Sequence, residues 1–163
     1  MRIGVLSDTH IPNRARQIPP VLFEIFAGVD LLLHAGDLAE EKVLLDLQAL
    51  APLAAVAGNM DSLILQQQLG HKKILEVAGF RLGLTHGHQG SDRSKTPQRA
   101  LAEFAADQVD CVVFGHSHQP FLEKINGVLL FNPGSPTDRR REPRHSCGLL
   151  TLGDTIDAEI IYL

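Results

Sequence analysis

Five short blocks of oxygen- and imidazole-bearing residues recur along the chain: Asp8-Thr9-His10, Gly36-Asp37, Gly58-Asn59-Met60-Asp61, His86-Gly87-His88 and Gly115-His116-Ser117-His118. Asp8, His10, Asp37, Asn59, His86, His116 and His118 make seven side chains of metal-ligating type. Seven is too many for one tetrahedral ion. It suits two five- or six-coordinate ions that share a carboxylate and hold water. Oxygen and imidazole donors without thiolate suit Mn, Fe, Zn or Ni more than a soft metal, and Mn is the expected ion. Two divalent ions bring +4, and Asp8 and Asp37 return −2, which leaves a local +2 that attracts anions. Such a pair polarises phosphoryl oxygen and acidifies a bridging water, chemistry suited to in-line attack on a phosphate ester.

Taken one at a time, these residues have plainer readings. Asp8 and His10 could cap a helix and sit in a loop, Asp37 could belong to a Gly-Asp turn, and Asn59 to a left-handed turn. Only the order of all five blocks lifts ligation above those readings. Asp61 is expected to stand behind the ligands and orient a histidine. His88 is an unplaced neighbour. His34, inside an apolar run, reads as a buried, satisfied histidine, and His71 and His145 as surface residues.

The blocks matter because of what precedes them. Arg2–Leu6, Asp30–His34 and Pro52–Ala57 read as buried strands, separated by helical patterns at Val21–Ala27 and Glu40–Leu50. This β-α-β-α-β rhythm predicts a parallel sheet with helices packed on it. Lys73–Val77 and Arg81–Thr85 read as a hairpin, followed by a helix over Pro97–Asp107 and a buried strand over Asp110–Phe114. Pro120–Lys124, Val128–Phe131, Ser146–Leu152 and Ala158–Tyr162 then alternate with Asn126-Gly127 and Gly153-Asp154 turns. Each block therefore follows a strand, where the loops of an open α/β sheet converge on a ligand. The expected architecture is α/β: two facing mixed sheets flanked by helices, in a single domain over residues 1–163.

Composition removes several function classes. The chain has 163 residues, 15 Lys+Arg against 19 Asp+Glu, and a net charge of −4, which argues against nucleic-acid binding through bulk positive charge. Its two cysteines, Cys111 and Cys147, lack a CxxC arrangement and suit neither a disulfide scaffold nor a thiolate zinc site. GxGxxG and GxxxxGK[ST] phosphate loops are both absent. No signal peptide or spanning segment is expected, since the longest uncharged stretch, Leu47–Met60, is short and contains Pro52. Cytoplasm is the expected compartment. Arg139-Arg140-Arg141 with Arg144 forms the basic cluster, either a solvated or partner-facing loop or a bidentate donor to phosphate.

The ordered blocks D-x-H, G-D, G-N-x-D, a histidine and G-H-x-H resemble the calcineurin-like metallophosphoesterases. The small size, the His86-Gly87-His88 block and Asn132-Pro133-Gly134-Ser135 are similar to compact phosphodiesterases of the YfcE type. That resemblance implies a four-layer α/β/β/α metallophosphatase sandwich. It implies one ion on Asp8, His10 and His118, a second on Asn59, His86 and His116, and Asp37 bridging them. It further implies hydrolysis of phosphodiesters by a metal-bridging hydroxide, with His10, Asp37 and Asn59 at the reacting centre. The family's histidine after Gly-Asn is replaced here by Met60, whose thioether has no proton to donate. His88 is the candidate substitute. The expected partner is a small phosphoester, with self-association open and neither membrane nor stable nucleic-acid binding anticipated. The rival reading is a protein-binding scaffold of the same fold, like a retromer subunit with a degraded metal site; here all seven ligand positions are intact.

Overall fold

The computed structural model describes residues 1–163. Its chain alternates strand and helix through the first half: β1 (Arg2–Leu6), α1 (Val21–Ile25), β2 (Leu31–His34), α2 (Glu41–Gln48), β3 (Leu53–Ala55) and α3 (Leu63–Leu69). β4 (Lys72–Val77), β5 (Phe80–Thr85), α4 (Thr96–Glu103), β6 (Cys111–Val113), β7 (Phe121–Ile125), β8 (Val128–Asn132), β9 (Ser146–Leu152) and β10 (Ile156–Tyr162) follow. One sheet has the order β10-β9-β1-β2-β3, and the other β4-β5-β6-β8-β7.

Side-chain alternation explains the layering. On β1, Ile3 and Val5 point toward the second sheet, where they meet Leu82, Leu84, Val113 and Phe131. Leu6 points the other way, into a cluster with Leu22, Phe26, Leu44, Leu47 and Leu65 from α1, α2 and α3. On β6, Cys111 and Val113 face the intersheet core, while Val112 faces α4 through Ala100 and Phe104. β1 and β6 thus bury both faces, as their near-continuous apolar runs demand. The result is the expected α/β/β/α stack. Both cysteines are buried and unpaired. No helix is long and apolar enough to cross a membrane.

Ala78-Gly79 and Asn126-Gly127 close the β4-β5 and β7-β8 hairpins with two successive positive-φ residues each, the geometry that matches strand twist. The expected strand Pro52–Ala57 is ordered as β3 only to Ala55; beyond it the Ala57 amide donates to the Gly70 carbonyl at 2.7 Å. α3 was not anticipated from the sequence. Leu63 and Ile64 are both 75% exposed, so no apolar stripe marks the helix. Its signals are instead at its ends: Ser62 Oγ accepts from the Leu65 amide, and Gly70 with φ +68° stops it.

Two groups of parallel strands position the site. β1, β2 and β3 run parallel in one sheet, and β5, β6 and β8 in the other. The loops leaving these six strands carry every block singled out above.

Candidate metal centre

The chain turns sharply where it leaves the strands. Asp8, His10, Asp37, His116 and His118 all have φ between +45° and +67°, a region that non-glycine residues seldom occupy. Each such residue costs on the order of 1 kcal/mol or more, and clustering of this kind is characteristic of functional sites. The turns are held from neighbouring loops. The Asp8 amide donates to the Gly36 carbonyl and the His10 amide to the Asp37 carbonyl. Ser135 Oγ donates to the Asp8 carbonyl, and Thr137 Oγ1 to that of Thr9.

Four side chains then follow one rule. Each spends one polar atom on the backbone and turns the other inward. Asp8 Oδ2 accepts from the His116 amide at 3.0 Å, and Asp37 Oδ1 from the Met60 amide at 2.8 Å. His86 Nδ1–H donates to the Ala35 carbonyl at 2.7 Å, and His118 Nδ1–H to that of Asp138. A neutral imidazole that donates through Nδ1 has a lone pair on Nε2, which is the atom a metal takes. Asp8 Oδ1 and His86 Nε2 are buried without a hydrogen-bond partner.

The inward atoms crowd one another. His118 Nε2 lies 3.2 Å from Asp8 Oδ1, and His86 Nε2 3.3 Å from Asp37 Oδ2. His10 Nε2 lies 3.3 Å from His118 Nε2 and 3.6 Å from Asp37 Oδ2. Metal bonds of about 2.0–2.2 Å put neighbouring donors about 3–3.6 Å apart, so these separations fit shared ions. Without a cation, lone pairs would face carboxylates in a buried space, a costly arrangement. The residues present therefore fit the metal ions that the donor set calls for. Two tight groups stand out, Asp8–His10–His118 and Asp8–Asp37–His86. Asp8 belongs to both, while Asp37 lies beside both His10 and His86. Asp8 thus spans both groups, and Asp37 Oδ2 stands 3.6 and 3.3 Å from the Nε2 atoms of His10 and His86.

Electrostatics tell the same story. Burial opposes the Asp37 charge, but the His86 ring and the Met60 N–H outweigh it and hold the carboxyl below its usual range. Burial opposes a charge on His86 too, yet Asp37 and Asp8 push its pKa up to about 9. The two carboxylates thus favour positive charge at the His86 ring, the charge a metal ion would supply there. Burial, with His86 and Arg93 nearby, pushes His116 down to about 3, and burial lowers His10 as well.

The remaining predicted residues are placed as follows. His116 is 8% exposed, with its ring edge-on to His86 at 5.3 Å between centroids. Asn59 and Met60 are exposed and line a cavity of about 280 Å³ together with His10, Asp37, His116 and His118. Asp61 does not orient a histidine. Its carboxylate accepts three backbone amides, from Asp37, Gly58 and Ala39, at 3.0, 2.8 and 2.7 Å. His88 packs against His86 and His71, at 5.4 and 5.5 Å between ring centroids, and is not part of the cavity lining, which weighs against it as the substitute proton donor. His34 is fully buried, bonded to Thr9 Oγ1 and accepting from the Gly36 amide. Two glycines allow the carboxylates to close in. A Cβ on Gly58 would fall 2.1 Å from Asp37 Oδ1, and one on Gly115 2.8 Å from Asp8 Oδ2.

Sequence reasoning missed Asp138, Arg14 and Arg93. Arg14 and Arg140 both pair with the Asp138 carboxylate, at 3.2 and 3.4 Å, and all three arginines line the cavity. Asp138 was visible in one respect, since it follows the Asn132-Pro133-Gly134-Ser135 loop after a parallel strand.

Residues 1–155 match the family profile described as a calcineurin-like phosphoesterase superfamily domain. A protein of Methanothermobacter thermautotrophicus named a probable metallophosphoesterase is 43% identical over 163 residues, covering 99% of this chain and 92% of that protein. A solved structure described as a novel archaeal phosphodiesterase is 26% identical with a TM-score of 0.76, covering 100% of both chains. Zinc-complexed Vps29 of Entamoeba histolytica is 25% identical with a TM-score of 0.78, covering 99% of both.

Proposed function

This chain belongs to the calcineurin-like phosphoesterase superfamily, and from that premise we propose that it is a phosphodiesterase working with two divalent cations. The observation that carries the reading is the set of buried, inward-facing atoms: Asp8 Oδ1, His86 Nε2, Asp37 Oδ2 and His118 Nε2. Asp8, His10 and His118 would hold one ion. Asn59, His86 and His116 would hold the other, with Asp37 and Asp8 between them. When bound, manganese, or iron, zinc or nickel in its place, supplies Lewis acidity toward phosphoryl oxygen and water.

The chain's own residues supply the rest. Arg14, Arg93 and Arg140 line the cavity and can orient the phosphoryl oxygens of a bound ester. Asn59 offers an amide donor at the same surface, and His10 a ring nitrogen near developing charge. The preference for diesters rests on similarity to the archaeal phosphodiesterase. The test is hydrolysis of bis(p-nitrophenyl) phosphate against p-nitrophenyl phosphate by manganese-loaded protein. Faster diester turnover supports the reading. A metal-loaded protein inert on both substrates overturns it in favour of a scaffold of the same fold.

Met60 sets a limit on leaving groups. It is 58% exposed in the cavity lining and has no proton to give. A leaving alcohol therefore departs without a proton from this position. General-acid assistance is worth about 10²–10⁴-fold, so Met60→His is expected to speed an alkyl diester by about tenfold or more. The p-nitrophenyl diester, which needs no proton, should change little. Equal effects on both substrates would show that Met60 does not face the leaving group.

A further inference from the structure

Beside the metal centre lies a second cavity, of about 530 Å³ and with no hydrophobic lining. Arg93 and Arg140 line both cavities, and Arg139 and Arg141 complete the second. Its charge is four arginines against Asp92 and Glu142, a formal +2 in a chain of net charge −4. The arginines come from two separate stretches, the loop after β5 and the loop after β8, so the fold rather than local sequence gathers them. Their pairing is incomplete. Arg140 is shared with Asp138, and Arg139 donates to the Glu142 carbonyl, but Arg93 and Arg141 have no carboxylate within 4.0 Å. Arg144 turns away and covers the Tyr162 ring at 4.3 Å. Unpaired guanidinium groups around a polar cavity match the bidentate geometry of phosphate oxygens.

We propose that this cavity binds a second phosphoryl group of the substrate, so that the preferred esters carry one phosphate beside the scissile one. The inference rests on the phosphodiesterase reading for the identity of the first group. Arg93 and Arg140 stand at the boundary, where a substrate spanning both cavities would pass. Arg139 and Arg141 would engage only the second phosphate.

Calorimetry on manganese-loaded protein tests the site without requiring turnover. Thymidine 3′,5′-bisphosphate and thymidine 5′-monophosphate are the probes. The bisphosphate is expected to bind at least about tenfold more tightly, since charge-assisted hydrogen bonds to a phosphate are the strong kind. In the Arg139→Gln, Arg141→Gln double variant that ratio should fall to within about threefold. Equal affinities in the wild type, or a ratio unchanged in the variant, would overturn the proposal. Parallel assays with the p-nitrophenyl ester of thymidine 5′-phosphate separate the two readings. Absence of turnover there counts against the phosphodiesterase, while the binding ratio alone decides the second site.

Discussion

Asp8→Asn is expected to reduce metal-dependent diester hydrolysis by at least about 10³-fold. Asp8 belongs to both tight donor groups, and its Oδ1 faces three histidine Nε2 atoms at 3.2, 3.9 and 4.0 Å. Removing its charge weakens both ions together. Metal-ion stabilisation of phosphoryl charge is worth several kcal/mol, and each 1.36 kcal/mol is a factor of about ten in rate. The same substitution should leave the metal-free protein at least as stable as the wild type. An asparagine oxygen can still accept from the His116 amide, and Asp37, within 4.8 Å, no longer faces a second carboxylate charge. Thermal melts in chelator and assays in manganese thus have opposite expected signs. A variant that keeps more than about one-tenth of the activity would remove Asp8 from the metal centre.

Asp61→Asn should produce the largest loss of stability for a change of so few atoms. Asp61 is 4% exposed, and its two oxygens accept the amides of Asp37, Gly58 and Ala39. An asparagine must turn its NH₂ toward one side of that set, so at least one amide meets a donor instead of an acceptor. A buried amide left unsatisfied costs about 1–3 kcal/mol, and displacing the other partners adds to this. About 3 kcal/mol corresponds to a fall in Tm of roughly 6–12 °C for a chain of this length. Because the Asp37 amide is one of the three, metal affinity should fall as well, by about 10–100-fold, as for other groups that orient ligands. A Tm within about 2 °C of the wild type would show that these loops are held by other contacts.

How much of this was legible in the sequence follows from how local each feature is. The strands announce themselves by apolar runs, and each ligand block lies within a few residues of a strand end. Asp8, His10, Asp37, His86, His116 and His118 could therefore be named as neighbours before any fold was known. His34 read correctly as a satisfied core residue because its apolar run marks burial. What could not be read depends on contacts between loops. Nothing near Asp61 says that it will bind two amides of the distant loop after β2, and nothing near His118 says that the Asp138 carbonyl will fix its tautomer. α3 was hidden because Leu63 and Ile64 face outward, which erases the periodicity that identifies helices. The arginine cavity was half visible. The run Arg139–Arg141 stands out in the sequence, but its partner Arg93 comes from a separate loop, the one after β5.

The central claim is that the Asp8, Asp37 and histidine cluster holds two divalent cations. Anomalous diffraction from crystals soaked in manganese tests it most directly. Two peaks per chain are expected, one among Asp8, His10 and His118 and the other among Asp37, His86 and His116. No peak, or a single peak, within this cluster, from protein that diffracts well after the soak, would contradict the account.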